Sequence, residues 1–270
     1  MPLAVCATPI GNLDDVTLRV LRELREADLV LCEDTRRTRV LLERHGVAGA
    51  PVESYHRHNE AARTPAVLSR LERGARVALV SDAGLPGVND PGARLISAAL
   101  DAGIPVTVLP GASSVETSLV ASGLVGDRYQ FVGYLPRRDA DRLALAHELA
   151  RWPHPVVAFE SPRRLPRSLD VFASVMPERG AAVCRELTKR FEQIERGTLS
   201  ELAARFSEPP RGEVTIVLGG AVVGHEAAVT EGALDAVAEL VAAGVTRRQA
   251  VDLVARLAEV PRNALYRASL

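Results

Sequence analysis

Three loops rich in glycine, proline and small residues each follow directly on a short apolar run. The loops are TPIGNLD (8–14), SDAGLPGVNDPG (81–92) and PGASS (110–114). The runs before them, Leu3–Ala7, Arg76–Val80 and Pro105–Leu109, are typical of buried strands. In an open parallel sheet, the loops at the carboxyl ends of the strands form the ligand crevice. The sequence therefore predicts one shared site at that edge of a sheet.

Strands and amphipathic helices alternate through the first part of the chain, which predicts crossover connections and a mostly parallel sheet. A boundary is predicted at Gly123–Arg128, where a second α/β set begins, and the pattern from Val223 onward is helical only. The predicted domains are residues 1–123, 128–222 and 223–270. The last of these is typical of a small helical appendage that contacts nucleic acid, and equally of one that caps an oligomer interface.

Polar residues just before the periodic apolar segments predict where helices begin. The expected starts are Asp14 or Asp15 as the cap of a helix over 16–27, Thr38 as the start of the next helix, and Asp90 as the cap of a helix from Pro91. Capping boxes are expected at Ser113 with Glu116, Thr198 with Glu201 and Thr246 with Gln249.

Composition excludes several classes of protein. Of 270 residues, 47% are hydrophobic and 25% charged, which is ordinary for a globular chain and excludes long disorder. No segment approaches the roughly 18–20 uncharged apolar residues of a membrane span, and the N-terminus lacks the basic segment of a signal peptide, so a cytoplasmic protein is expected. Cys6, Cys32 and Cys184 are scattered and predict buried free thiols. No metal is expected, because no CxxC pair occurs and His56 and His58 lack a ligand cluster around them.

The charges nearly cancel, with 33 basic and 34 acidic residues, so any polyanion must bind to local positive charge. Of the basic residues, 32 are arginine and Lys189 is the one lysine. Lysine can lose its proton when its pKa is lowered, whereas arginine cannot. This makes Lys189 a residue of interest.

The loops carry neither the dinucleotide fingerprint GxGxxG nor the Walker pattern. Glycine allows close backbone approach and proline stiffens a loop, which suits a flat, mostly neutral ligand held by backbone groups. The helix expected after Ser113 would offer free N–H groups to a carboxylate. Asp82 could accept a hydrogen bond from a ligand hydroxyl or amino group, or could simply brace its loop.

Nine motifs spread over the whole chain resemble the tetrapyrrole methylase superfamily. They are ATPIGNLDD (7–15), EDTRRT (33–38), YHRHNE (55–60), SDAGLPGVNDPG (81–92), PGASS (110–114), ESPRRL (160–165), RELTK (185–189), GEVTIVL (212–218) and PRNALYRASL (261–270). The resemblance is strongest to the branch that 2′-O-methylates a cytidine of small-subunit (16S) ribosomal RNA. It departs at Leu85, where the family usually has threonine, and at Arg163, where it often has histidine.

This resemblance implies two α/β domains with an S-adenosylmethionine cleft between them, plus the helical appendage. The cofactor-binding residues it implies are Pro9, Asp82, Gly84, Leu85, Gly111, Ser113, Ser114 and Tyr134. It also implies a homodimer as the assembly, and ribosomal RNA in the small subunit as the partner.

Methylation of a ribose hydroxyl needs the removal of a proton or a cation beside the alkoxide. Glu186 and Lys189 are the predicted catalytic residues. If desolvation among neighbouring cations lowers its pKa, Lys189 can act as the base, and otherwise it can clamp the alkoxide. A plain phosphate contact or a surface position is the alternative for Lys189.

Binding of RNA requires cationic contacts to phosphates. The residues predicted to contact RNA are Arg36, Arg37, His58, Glu160, Arg163, Arg164 and Arg185, and Tyr55, Tyr134 and Phe159 could stack on a base. Glu33, Asp34 and Glu160 follow strands and could neighbour the acceptor. Two other functions remain open at this point: a small-molecule tetrapyrrole methyltransferase and a non-catalytic RNA-binding module.

Overall fold

The first half of the chain is a parallel α/β sheet with helices on both faces. The structure, a computed structural model, describes residues 2–221, 230–258 and 260–270. The strand order is β3-β2-β4-β1-β5, and every described pairing is parallel. The elements are β1 (Leu3–Cys6), α1 (Leu18–Glu26), β2 (Leu29–Cys32), α2 (Thr35–Arg44), β3 (Val52–Ser54), α3 (Glu60–Glu72), β4 (Val77–Val80), α4 (Ala93–Asp101), β5 (Val106–Leu109) and α5 (Ser114–Ser122).

The central strands of this sheet are apolar because both of their faces are covered. Alternate residues of β1 point to opposite faces, so Ala4 and Cys6 join a core with α1, whereas Leu3 and Val5 join a core with α3 and α4. This confirms the parallel sheet that the alternating pattern predicts.

The second half contains a mixed sheet, with strand order β6-β7-β10-β8-β9. Only β6 and β7 pair in parallel, and β10 runs antiparallel to both of its neighbours. The elements are β6 (Gln130–Tyr134), α6 (Asp139–Leu149), β7 (Val156–Glu160), α7 (Leu165–Val175), β8 (Gly180–Arg185), β9 (Gln193–Thr198), α8 (Leu199–Arg205) and β10 (Val214–Leu218).

Helix α5 joins the two halves. One face of the second sheet is covered by α6, α7 and α8. Its other face packs against Val115 and Leu119 of α5, in a cluster that also contains Val157, Ala182 and Val217. Burial of these apolar side chains ties the loop before α5 to both sheets.

The helix starts correct several of the predictions. Thr17, rather than Asp14 or Asp15, caps α1, because residues 13–15 form a separate 3-10 turn. Asp34 caps α2, which begins at Thr35, three residues before the predicted start. At α4 the position before the helix is Gly92, at φ +129°, and not Asp90. The capping box at Thr198 and Glu201 is confirmed, whereas the Thr246 hydroxyl donates to the Gln249 side chain and leaves the backbone uncapped.

The described part of the C-terminal tail consists of helices α9 (Glu231–Ala242), α10 (Arg247–Leu257) and α11 (Arg262–Ala268). These helices share a core of their own. The predicted boundary between residues 222 and 223 lies outside the described residues. Throughout the described ranges, no helix has the length and apolar character needed to cross a membrane.

Candidate active site

A cleft of about 950 Å³ lies between the two sheets. Its first wall comes from the loops that follow β1, β2, β4 and β5, which places the three glycine- and proline-rich loops together, as their position after strands predicts. The second wall comes from β6, the end of β7 and the start of β10, including Phe131, Phe159 and Thr215.

Most residues assigned to the cofactor lie in this cleft. The lining residues are Asp82, Gly84, Leu85, Gly111, Ser113, Ser114 and Tyr134. Pro9 lies instead in an adjoining groove of about 320 Å³, which shares Ile10, Arg37, Asp82, Ala83 and Glu213 with the cleft. Leu85 packs its apolar side chain against the first-sheet core, so this departure from the family threonine is accommodated by burial.

Two glycines let these loops pack closely. Gly84 has φ +79° and exchanges two backbone hydrogen bonds with Thr8, of 2.9 and 3.0 Å, which join the first two loops. A Cβ on Gly111 would lie 2.9 Å from the Cβ of Ala7. Real Cβ atoms do not approach one another so closely, so the loop before α5 can sit against β1 only with glycine at this position.

The N-terminus of α5 opens into the cleft. Ser113 is its N-cap residue but makes no side-chain bond to the helix backbone. Its hydroxyl donates to the carboxylate of Glu116 instead, so the expected capping box at Ser113 and Glu116 is not formed. The first-turn N–H groups therefore have no side-chain cap, and they are available to an anionic group such as a carboxylate.

Three carboxyl groups, those of Glu33, Asp82 and Asp90, line one end of the cleft. Asp82 accepts a hydrogen bond from the Asp34 N–H at 2.9 Å and lies 3.7 Å from the Arg37 guanidinium. Burial, with the nearby charge of Asp82, raises the pKa of Glu33 above its ordinary value. Burial, with the nearby charge of Glu33, raises the pKa of Asp90 to about 6. Its position before a proline made Asp90 resemble a helix cap, so the sequence reading missed it as a cleft residue.

Replacing Asp90 with asparagine should stabilise the protein at neutral pH. Since the folded pKa of about 6 lies above the ordinary 3.8, the carboxyl favours folding below pH 3.8 and loses that contribution as pH rises through 6. With allowance for partial exposure, we expect Asp90→Asn to raise the free energy of unfolding by about 1–2 kcal/mol at pH 7.5. Urea unfolding of wild type and variant at pH 4 and at pH 7.5 measures this change in the free energy of unfolding. The exposed loop residue Asp127, changed to asparagine, is the control, and a gain that is equal at pH 4 and pH 7.5 would contradict the assignment.

Lys189 is held between two carboxylates where the groove meets the cleft. Its Nζ donates to Glu186 at 3.0 Å and to Glu213 at 2.8 Å. Burial disfavours its charge, but the bonds to Glu213 and Glu186 outweigh burial and raise the pKa of Lys189 above its ordinary value. This direction is opposite to the lowered pKa on which a role as base depends. The two contacts therefore favour the other predicted role of Lys189, that of a cation beside the alkoxide.

Glu186 and Lys189 stand on a strained turn that docks on the first half of the chain. Glu186 and Thr188 have φ +51° and +64°, which is uncommon for residues other than glycine. The Thr188 hydroxyl accepts a hydrogen bond from the Asn12 N–H at 2.9 Å. Burial opposes the charge of Glu186, but the Glu213 N–H and the Lys189 ammonium hold the pKa of Glu186 below its ordinary value.

The residues predicted to contact RNA are dispersed. Arg37 and Glu160 line the cleft, and Arg36 and His58 line a shallow hollow beside Asp82. Arg163 is exposed. Arg185 bonds the Gln193 side chain and the Arg211 carbonyl, at 2.9 and 2.8 Å.

Two of these side-chain predictions are corrected by burial. The Glu160 side chain is fully buried, and its carboxylate is engaged by Arg164, the Ser168 hydroxyl and the Ser161 N–H. It therefore braces the start of α7, and its partner Arg164 is committed to that pair. Tyr55 is 1% exposed and bonds Thr64, so it cannot stack on a base. Tyr134 is 60% exposed and can stack on a base.

Two solved structures with this fold are named as methyltransferases. The methyltransferase CobJ has a TM-score of 0.63 at 21% identity, over 82% of this chain and 94% of that one. Uroporphyrin-III C-methyltransferase from Thermus thermophilus, complexed with S-adenosylhomocysteine, has a TM-score of 0.57 at 21% identity, over 82% of this chain and 98% of that one. At such identity the likeness establishes the fold. The model of the tetrapyrrole (corrin/porphyrin) methylases matches residues 2–203, and the chain belongs to that family.

Relatives with higher identity align along nearly the full length. Ribosomal RNA small subunit methyltransferase I of Mesorhizobium japonicum is 42% identical, over 98% of this chain and 90% of the relative. The protein of the same name from Synechocystis sp. is 41% identical, over 99% of this chain and 97% of the relative.

Proposed function

We propose that this chain transfers a methyl group from S-adenosylmethionine to the ribose 2′-hydroxyl of a cytidine in small-subunit (16S) ribosomal RNA. The observation that carries the proposal is the alignment with ribosomal RNA small subunit methyltransferase I over 98% of the chain. Since that alignment extends beyond the residue 203 limit of the family model, the likeness includes more than the common methylase fold.

The cleft fits S-adenosylmethionine. Its volume lies within the range of roughly 300–1,000 Å³ that is usual for small-molecule sites. Because Gly84 and Gly111 carry no side chain, the backbone groups of their loops are accessible to a flat base and its ribose. The N–H groups in the first turn of α5 can bind the carboxylate of the methionine moiety. When bound, S-adenosylmethionine supplies an electrophilic methyl group.

The residues of the chain then orient the acceptor and handle its proton. Alignment of the ribose oxygen with the donor supplies much of the acceleration in a displacement of this kind. We assign to the Lys189 ammonium the stabilisation of the alkoxide that develops on the ribose oxygen. The Asp90 carboxylate is suited to accept the hydroxyl proton, because a pKa of about 6 leaves it mostly ionised at pH 7 to 8 yet more basic than an ordinary aspartate.

The first test of the function is transfer of a labelled methyl group to small ribosomal subunits and to their free RNA. We expect incorporation into RNA, at a single cytidine, and resistance of that position to alkaline cleavage because its 2′-oxygen is blocked. Incorporation into a tetrapyrrole but not RNA would favour the small-molecule methyltransferase. Binding of RNA with no transfer to any RNA would favour the non-catalytic module.

We also propose a homodimer that acts in the cytoplasm, where ribosomal subunits reside. An unpaired edge strand with exposed apolar side chains favours association. Among the described strands, β5 lies at one edge of the first sheet, and its residue Val108 is 51% exposed. Light scattering that gave only the single-chain mass of 28.9 kDa would exclude the dimer.

A further inference from the structure

The C-terminal tail is a separate helical module. Residues such as Val237, Val251 and Leu265 bury their side chains against one another, in a core whose described members all come from α9, α10, α11 and the turns between them. Helices α10 and α11 are joined by the short connection 258–261, so they form a helix-turn-helix arrangement. The tail therefore has an apolar core separate from the cores of the two sheets.

Charge is segregated within this module. Helix α9 carries Glu231, Asp235 and Glu239 at four-residue spacing, all exposed, and has no basic residue. The segment 247–270 carries the opposite sign, with five arginines against Asp252 and Glu259. A charge division of this kind orients a module toward a polyanion, because its acidic side is repelled.

The arginines of α10 and α11 are placed to make new contacts. Arg248, Arg256 and Arg267 are exposed, and no carboxylate of the described residues lies within salt-bridge distance of them. Asp252, between Arg248 and Arg256 on the same stripe of α10, is neutralised by Arg262 of α11. Asn263 and the 38% exposed Tyr266 add hydrogen-bonding and stacking groups to the same short helix.

Relatives named for ribosomal RNA methylation share this module. The family model ends at residue 203, before the tail begins. Proteins named for ribosomal RNA methylation align over 98–99% of the chain, so their alignment must include most of the tail. The tail is thus part of the likeness to proteins that are named for ribosomal RNA methylation.

We propose that the face formed by α10 and α11 binds the phosphate backbone of small-subunit ribosomal RNA. The proposal rests on the function proposed above, since it takes the same RNA as the ligand. The contacts are to phosphates, so they supply affinity and register, while the cleft selects the nucleotide.

The test compares two full-length triple variants. Arg248, Arg256 and Arg267 are changed together to glutamine in one, and the equally exposed Arg19, Arg22 and Arg73 in the other, which lie outside the cleft and grooves. Binding of small-subunit RNA is measured by fluorescence anisotropy between 50 and 200 mM salt. Because each neutralised phosphate contributes about 0.7 to the slope of log affinity against log salt, we expect the tail variant to lose about 2 from that slope. We also expect its KM for RNA to rise at least about tenfold with kcat unchanged.

Unchanged RNA affinity in the tail variant, or an equal loss in the other variant, would overturn the proposal. A tail variant that changes from dimer to monomer in light scattering while keeping its RNA affinity would also overturn it, in favour of an interface between two copies. Because anisotropy needs no methyl transfer, RNA binding through the tail is tested even if the wild-type chain proves unable to methylate RNA.

Discussion

Replacement of Gly84 by valine should weaken the binding of S-adenosylmethionine by at least about 100-fold, equivalent to about 2.7 kcal/mol. Gly84 has φ +79°, a conformation that β-branched residues almost never adopt, and its backbone makes both hydrogen bonds to Thr8. The loop must therefore move, and it forms the cleft wall. Calorimetric titration with S-adenosylmethionine measures the effect.

Gly74→Val is the matched control for backbone strain. Gly74 has φ +89°, lies in the turn before β4, and has no atom near the position of an added Cβ. Both variants should lose comparable free energy of unfolding, whereas only the Gly84 variant should lose affinity for the donor. Equal donor affinity in the two variants would show that this loop does not hold S-adenosylmethionine.

Neutralising Lys189 should reduce methyl transfer far more than replacing it by another cation. In Lys189→Gln, the alkoxide loses its stabilising charge and Glu186 and Glu213 lose their shared partner. We expect kcat to fall at least about 100-fold, the size of effect seen when one oxyanion donor is removed. In Lys189→Arg the positive charge stays, so kcat should remain within about tenfold of wild type. Single-turnover transfer to small subunits measures both.

Arg211→Gln serves as the control for Lys189, since it removes an exposed positive charge two residues from Glu213. Its kcat should match that of wild type. If Lys189→Arg were as inactive as Lys189→Gln while both still bound S-adenosylmethionine normally, the residue would be a proton acceptor after all. The two carboxylates raise the pKa of Lys189, so we expect Lys189→Arg to remain active.

The first sheet and its cleft were predictable because the information is local. Strands such as LAVC and VALV are buried on both faces, and the loops that follow them carry the glycine and proline pattern that marks a ligand edge. The antiparallel course of β10 was not predictable, because a short apolar run has the same periodicity in either direction.

The electrostatics of the site could not be predicted from the sequence. Glu213, 24 residues after Lys189, reverses the expected direction of the lysine pKa, and only the folded chain brings them within 2.8 Å. Asp90 resembled a helix cap because Pro91 follows it, yet the helix begins only at Ala93 and leaves the carboxyl facing the cleft. Burial of Glu160 likewise depends on Ser168 one helix turn into α7.

Helix α5 follows the last strand of the first sheet in the chain, but its apolar side chains pack against the second sheet. Ile10 of the first half packs in the same apolar cluster as Val115 and Leu119, so separating the two halves at this cluster would expose apolar side chains to water, at a cost of about 1–3 kcal/mol for each side chain. That cost opposes any widening of the distance between the two walls of the cleft. We therefore expect S-adenosylmethionine to bind to a cleft that is already formed. Analogues with a bulkier transferable group should bind poorly, because the two halves of the chain do not move apart to make room for them.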